Sequence, residues 1–285
     1  MTAISARMRQ TGAKGNLRLM VFASLVVLVV LIALLAPMIA PYDPLATDYD
    51  SILASPNAEH LFGCDNLGRD IFSRVIYGAQ ISVTMAISAA FVTMAIGTVI
   101  GMLAGFFGGW LDSVLMRISD TFMAFPEIVL GVAIVGVLGP GIINAVIAVT
   151  AVMWVRFARI SRGLVLSLRE SDFVFTARLS GCSWPRIIVS HLIPIILPHM
   201  LAAMLLEVGS IMLTLASFSF LGLGVQPPTP EWGAMLNDGK SYFQTAPFLM
   251  LFPGLAIFIT VALFNLFGNA INDRLTNPIK KTNER

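Results

Sequence analysis

Two carboxylates stand inside stretches that are otherwise apolar: Glu127, directly after Pro126, and Glu207. An ionisable group in such a setting is costly to keep and often marks a pathway. Each either faces a passage, where it would meet a cationic solute, or is protonated or hydrogen-bonded in helix packing; the residue pattern leaves both open. Arg156, Arg159 and Arg162 recur at helical spacing. Guanidinium groups so placed suit phosphate, but the commoner use is to extend the side chain to lipid headgroups, which is the expectation here. Asp120 lies three residues from Arg117, close enough on a helix for an ion pair. Asn265, Asn269 and Asn272 share a helical stripe suited to hydrogen bonds between helices or to an inner mouth.

Enzymatic chemistry is harder to find. An intramembrane hydrolase needs a nucleophile with its base, or metal ligands. The chain has no His-Glu-x-x-His and no Gly-x-Ser-x-Gly. Gly239-Lys240-Ser241 resembles the end of a phosphate-binding loop, yet the leading glycine would have to be residue 234, which is Ala234; Gly233 is one place too early. His60, Cys64 and Asp65 are a tempting metal set, but no second histidine is near, and no metal site is expected. His191 and His199, two turns apart, read as packing residues, and the 15 methionines as scattered filler. No catalytic residue is assigned.

The elements that must hold these groups are membrane spans. Of 285 residues 57% are hydrophobic and only 12% charged, with a mean hydropathy of +0.84, too little charge to cover a water-soluble domain of this size. Six apolar runs, near 19–40, 78–104, 118–139, 141–162, 192–216 and 247–268, are long enough to cross roughly 30 Å of hydrocarbon as helices, and helices are what lipid demands. The fold expected is all-α with six transmembrane helices, Pro126 kinking the third. The first run is too long for a signal peptide's apolar core and is read as a retained anchor. With the N-terminus inside, all but Arg69, Arg74 and Lys240 of the 18 lysines and arginines lie on the cytoplasmic side, so both termini are cytoplasmic. Cys64 and Cys182 then lie on opposite sides and cannot pair. The organisation expected is 1–77, a tail, first span and outer segment, followed by a five-helix core, 78–285. Residues 41–77 are polar and turn-rich, and 217–246 form a second outer loop, where Gly222, Gly224, Pro227, Pro228, Trp232 and Gly233 forbid a long helix. The ends, 1–16 and 277–285, are polar tails expected to be mobile.

Between the fourth and fifth runs, roughly 165–190 projects into the cytoplasm. A short helix is expected over Asp172–Ser180: Asp172 in its first turn suits the helix dipole, and Gly181 suits the left-handed residue that ends a helix. Pro185 fits the first turn of a second helix. Phe173, Ala177 and Ser180 should share one side, where small residues let a partner approach closely.

Ala177, Gly181 and the Ile193-Pro194 pair match the spacing of the EAA loop of ABC importer permeases. The triplet positions fall on Phe175, Thr176 and Ala177, so the glutamate is absent and the first alanine is threonine. The run Phe173-Val-Phe-Thr-Ala-Arg-Leu-Ser-Gly181 resembles the dipeptide, oligopeptide and nickel branch of that family. So do Gly63-Cys-Asp-Asn-Leu-Gly-Arg-Asp-Ile-Phe-Ser-Arg74, Arg117-Ile-Ser-Asp120 through Phe125-Pro126, and Ser219-Phe-Leu-Gly-Leu-Gly-Val-Gln-Pro-Pro-Thr-Pro-Glu-Trp-Gly233. The resemblance implies a type I importer permease of the cytoplasmic (inner) membrane. It would pair with a homologous permease as a heterodimer, with two cytoplasmic ATPase subunits that bind ATP and Mg, and with an external solute-binding protein; nothing points to nucleic acid. It assigns ATPase coupling to Asp172, Phe173, Thr176, Ala177, Arg178, Gly181 and Pro194. The chain itself then holds no cofactor and is not an enzyme. Short peptides are the solute expected, with nickel or a metal chelate as the alternative; a passive channel would leave the projecting segment without a purpose.

Overall fold

Lipid offers no partner to a backbone N–H or C=O, so each segment that enters it must satisfy its own. The computed structural model, which describes the backbone of residues 2–282 and the side chains of 17–275, does so with helices throughout. They are α1 (Thr2–Leu34), the single turn α2 (Ala36–Ile39), α3 (Ile71–Phe107), α4 (Gly109–Met123), α5 (Glu127–Leu138), α6 (Ile142–Arg169), α7 (Asp172–Leu179), α8 (Trp184–Ile187), α9 (Ile193–Phe220), α10 (Trp232–Gly239) and α11 (Phe248–Thr282). The tails expected at 1–16 and 277–285 lie, in their side chains and at the extreme ends, outside the described residues.

Among the described residues five helices are long and apolar enough to cross a membrane, and α4 with α5, bent by 92° at the break between them, makes a sixth where the pair counts as one span. The single kinked helix expected at 118–139 is therefore a corner. Pro126 has no N–H and holds the residue before it out of helical geometry, so α4 ends at Met123 and Pro126 caps α5. The other spans overrun their apolar stretches. The second starts at Ile71 rather than 78, which puts the boundary expected at residue 77 inside α3. The fourth runs on to Arg169 rather than 162, and the fifth is continuous from Trp184. Hydropathy marks the part of a helix that lipid touches; the hydrogen-bond ladder continues into water and protein.

Two helices form the fixed frame. Gly97, Gly101 and Gly105 make one stripe of α3 that lies directly on the α6 backbone: a β-carbon at Gly101 would stand 2.1 Å from the Ala158 carbonyl oxygen, and one at Gly97 2.4 Å from that of Trp154. Small residues at four-residue spacing bring helices this close, and dispersion rather than water then drives the packing. Val83, Ala86, Ala89 and Ala90 of α3 continue the contact outwards to Ala145, Ala148 and Val149 of α6, and Val208, Ile211 and Leu215 of α9 close the core. Further round, α11 adds Ile257 and Phe264, while α1 is peripheral, with only Val26 and Ala33 buried among its described residues.

Candidate functional site

Three places gather the residues singled out by the sequence. The first is the segment after α6. Asp172 opens α7 and Arg178 lies in its last turn, the order the helix dipole favours. Gly181 follows with φ +76°, and Cys182 N–H reaches back to the Ala177 carbonyl at 3.1 Å, so the glycine ends the helix in the left-handed region as its position requires. Pro185 is in the first turn of α8. The faces differ from expectation. Val174 and Ala177 are buried, in one cluster with Phe106, Val165, Ile187 and Leu192, so Ala177 supports α7 from within. The exposed side of α7 carries Phe173, Phe175, Thr176, Leu179 and Ser180, with Phe175 61% and Leu179 74% exposed. Arg178 lies over two rings, 4.7 Å from the centre of Trp184 and 5.7 Å from that of Phe106, which ties α7 to the C-terminal end of α3. Beside it Phe107, Arg169, Glu170, Asp172 and Phe175 complete a cavity of about 500 Å³.

From there α8 passes into α9 through a wide turn at Ile188–Leu192, where Ile193 N–H bonds the carbonyl five residues back. Pro194 explains it: without an N–H it cannot continue the four-residue ladder. α8 and α9 thus make one helical path from Trp184, which the turn at 180–183 separates from α7.

The second place is half-way along α6. Arg156 Nη1 donates to both carboxylate oxygens of Glu207 at 3.0 Å, and its Nε donates to Glu127 Oε1 at 3.2 Å. Both carboxylates are therefore engaged by one guanidinium rather than held open for a cation. The neighbouring arginines are also paired: Arg159 with Asp120 at 2.5 Å and Arg162 with Asp112 at 2.5 Å. This corrects two expectations. The arginines meet acids of α4, α5 and α9 instead of lipid headgroups, and Asp120 pairs across to α6 instead of along its own helix with Arg117. An arginine offered a carboxylate loses less by desolvation than one stretched to a distant interface. Asn265 Nδ2 donates to the Val261 carbonyl of its own helix at 3.0 Å and lies over Gly209 of α9.

The third place is the cap that residues 41–77 and 217–246 form at the end of the spans opposite α7. Acids of the turn-rich segment make the turns: Asp43 accepts from Leu45 N–H, Asp48 from Asp50 N–H and Asp65 from Leu67 N–H. Asp70 caps α3 by accepting from Ser73 N–H and holds His60 Nδ1 at 3.0 Å, while Asp65 accepts from Arg69 Nε at 2.6 Å. His60 and Asp65 of the tempting metal set are thus turned to different partners and Cys64 is buried, and no group of three metal-binding side chains occurs among the described residues. Burial pushes the Cys64 thiol up to about 11, and burial likewise raises the Asp238 carboxyl, which faces Arg69 and Arg74.

In the second outer loop Trp232 Nε1 donates to the Val75 carbonyl at 2.9 Å. Gly233 lies where a β-carbon would be 2.4 Å from the Ala216 oxygen. Gly224 sits on Ser219, Gly222 turns at φ +79°, and Pro227 and Pro228 are exposed at the top. The sequence reading missed Glu231. It is 2% exposed, caps α10 by accepting from Gly233 and Ala234 N–H, and accepts from Ser82 Oγ of α3 at 3.1 Å. It missed the glycine stripe too, although Gly-x-x-x-Gly-x-x-x-Gly inside an apolar run was a visible signal.

Comparison with known proteins agrees with this geometry. Residues 97–281 match the family described as "Binding-protein-dependent transport system inner membrane component", and residues 15–56 match the "N-terminal TM domain of oligopeptide transport permease C". The nickel transport system permease protein NikC of Escherichia coli is 45% identical over 251 residues, 88% of this chain and 91% of that protein. The glutathione transport system permease protein GsiD of Shigella sonnei is 46% identical over 262 residues, 92% of this chain and 86% of that protein. Among solved structures, the inward-facing MetNI methionine ABC transporter has a chain that superposes with a TM-score of 0.58 at 18% identity, covering 72% of this chain and 98% of that one, a likeness of fold. The first match spans more than half of the chain and contains both α7 and the Arg156 cluster, so this chain belongs to the binding-protein-dependent transport system inner membrane components, the permease subunits of ABC importers.

Proposed function

We propose that this chain is one half of a heterodimeric permease that imports short peptides. Its two partner ATPases bind ATP and Mg and push on α7, and an external binding protein delivers solute to the outer cap. The observation that carries the coupling part is α7 itself: a helix with exposed Phe173, Phe175 and Leu179 that follows α6 and is linked to the continuous α8–α9 helix by the Gly181 turn and by Arg178 over the Trp184 ring. Asp172, Phe173, Thr176 and Arg178 form or orient the docking face; Ala177 seats it, Gly181 ends it and Pro194 shapes the passage into α9. Glu127 and Glu207 line the pathway, because charged groups at mid-membrane depth with 41% and 18% of their side chains exposed require water or a partner chain beside them. The concentration of basic residues in alternate loops supports an orientation with both termini in the cytoplasm. Peptides are supported by the likeness to a glutathione permease, glutathione being a tripeptide, and by the match to an oligopeptide permease segment. The likeness to NikC favours a second reading, nickel or a nickel chelate.

Uptake by vesicles holding this chain, its partner permease, both ATPases and the binding protein tests the proposal. ATP-dependent uptake of labelled dialanine or glutathione, but not nickel, is expected. ATP-dependent uptake of nickel alone would replace the peptide reading, and ATP-independent flux would replace the importer with a channel.

A further inference from the structure

Arg156 stands about 9 Å along α6, at ~1.5 Å per residue, from residue 162, where the apolar run ends, and its guanidinium is turned to carboxylates of two other helices. Its charge is balanced from two elements only, and each leads to a part that has reason to move. Glu127 is the first residue of α5, immediately after the 92° corner. Glu207 is on α9, which runs back through α8 to Trp184, the ring that Arg178 of α7 covers. By contrast α6 is locked to α3 by the glycine stripe, and α4 is held to α6 by Arg159–Asp120 and Arg162–Asp112. Arg156 is therefore where the fixed frame grips both the corner and the docking-linked helix. Taking the guanidinium away would leave two carboxylates facing the same space, so the arrangement depends on it.

The two halves of the grip are unequal. Towards Glu207, Nη1 makes two bonds of 3.0 Å and the carboxylate is 18% exposed. Towards Glu127 the bonds are 3.2 and 3.4 Å and the carboxylate is 41% exposed, beside a pocket of about 130 Å³ lined by Phe122, Phe125, Val152 and Val155. The Glu127 half has the longer bonds and the more exposed carboxylate, so it separates at lower cost. We infer that Arg156 is a clamp that positions α5 and α9 in one access state, and that the switch releases Glu127 while Glu207 stays bound. Arg156 and Glu127 act as positioning residues, and neither needs to touch the solute.

This inference rests on the permease reading, but its first test needs no solute. In the purified assembly with both ATPases, Glu127→Gln should raise solute-free ATP hydrolysis about fivefold or more, the low end of measured coupling between sites. The triple variant R156M/E127Q/E207Q removes all three charges without stranding one, and so keeps the fold; it should show the same rise. In vesicles importing dialanine, glutathione or nickel ion, E127Q should raise ATP used per solute by a similar factor and leave the solute KM unchanged. Wild-type hydrolysis in both variants would overturn the clamp. So would a shifted KM with an unchanged ATP-to-solute ratio, which would make Glu127 a solute contact. Failure of wild type to import any of the three solutes would overturn the substrate reading alone, because the hydrolysis assay decides the clamp independently.

Discussion

Alanine substitutions along the glycine stripe should destabilise the protein in an order set by distance. A β-carbon would stand 3.0 Å from the Arg162 carbonyl oxygen at Gly105, 2.4 Å from that of Trp154 at Gly97 and 2.1 Å from that of Ala158 at Gly101. Ordinary C···O contact begins near ~3.3 Å. Gly105→Ala therefore asks for a few tenths of an ångström, whereas Gly101→Ala asks α3 and α6 to part by about 1 Å. Dispersion falls steeply over such a gap, losing a quarter to a half of each contact's well, and the collision is with backbone that cannot swing aside. Overpacking of this kind costs about 1–3 kcal/mol, against which alanine gains about 1 kcal/mol of helix propensity over glycine. Gly105→Ala should come out near neutral and Gly101→Ala clearly destabilised, by about 2–8 °C at ~2–4 °C per kcal/mol for a chain of this size. Gly136 and Gly163 are helical controls with nothing within 4 Å of a β-carbon, so alanine there should hold or raise stability. The assay is the midpoint for loss of the monodisperse peak after heating in detergent. Should Gly101→Ala melt with Gly163→Ala, the close approach of α3 and α6 is wrong.

Three further outcomes are expected. Cys64 is fully buried, with its thiol pushed up to about 11, so it remains protonated at neutral pH and should stay unlabelled by maleimide until pH approaches that value or the fold is lost; half-buried Cys182 should label, and only from the cytoplasmic face if the proposed orientation holds. Replacing Glu231 by alanine strands the N–H groups of Gly233 and Ala234 and the Ser82 hydroxyl, at about 1–3 kcal/mol, measured as a lowered melting midpoint. A side chain at Gly181 meets nothing within 4 Å but must adopt φ +76°, a strain of about 1–2 kcal/mol; Gly181→Leu should insert and assemble yet lose ATP-coupled uptake, and unimpaired coupling would remove Gly181 from the docking device.

The residues that ended up together show which signals are local. Asp172 and Gly181 announced α7 correctly because a first-turn acid and a left-handed stop act within one or two turns of chain. Apolar runs announced the crossings, because lipid sorts any sufficiently long segment. Helix ends were less legible, as the overrun of α3 from residue 78 back to Ile71 illustrates: once solvent no longer decides, caps such as Asp70 do. The inward face of Ala177 escaped because Val174 and Ala177 are buried only against other helices.

The sequence alone determined the solvent of this protein, the apolar runs behind its candidate spans, the short helix at Asp172 and the family, since hydropathy, capping and short motifs are properties of neighbouring residues. Only the tertiary structure decided what its charges do. Arg156 meets Glu127 across 29 positions and Glu207 across 51, and no periodicity in one segment can report which segment it will face. The glycines at 97, 101 and 105 were visible as letters, but their purpose, to let two backbones touch, exists only when α6 is laid against them.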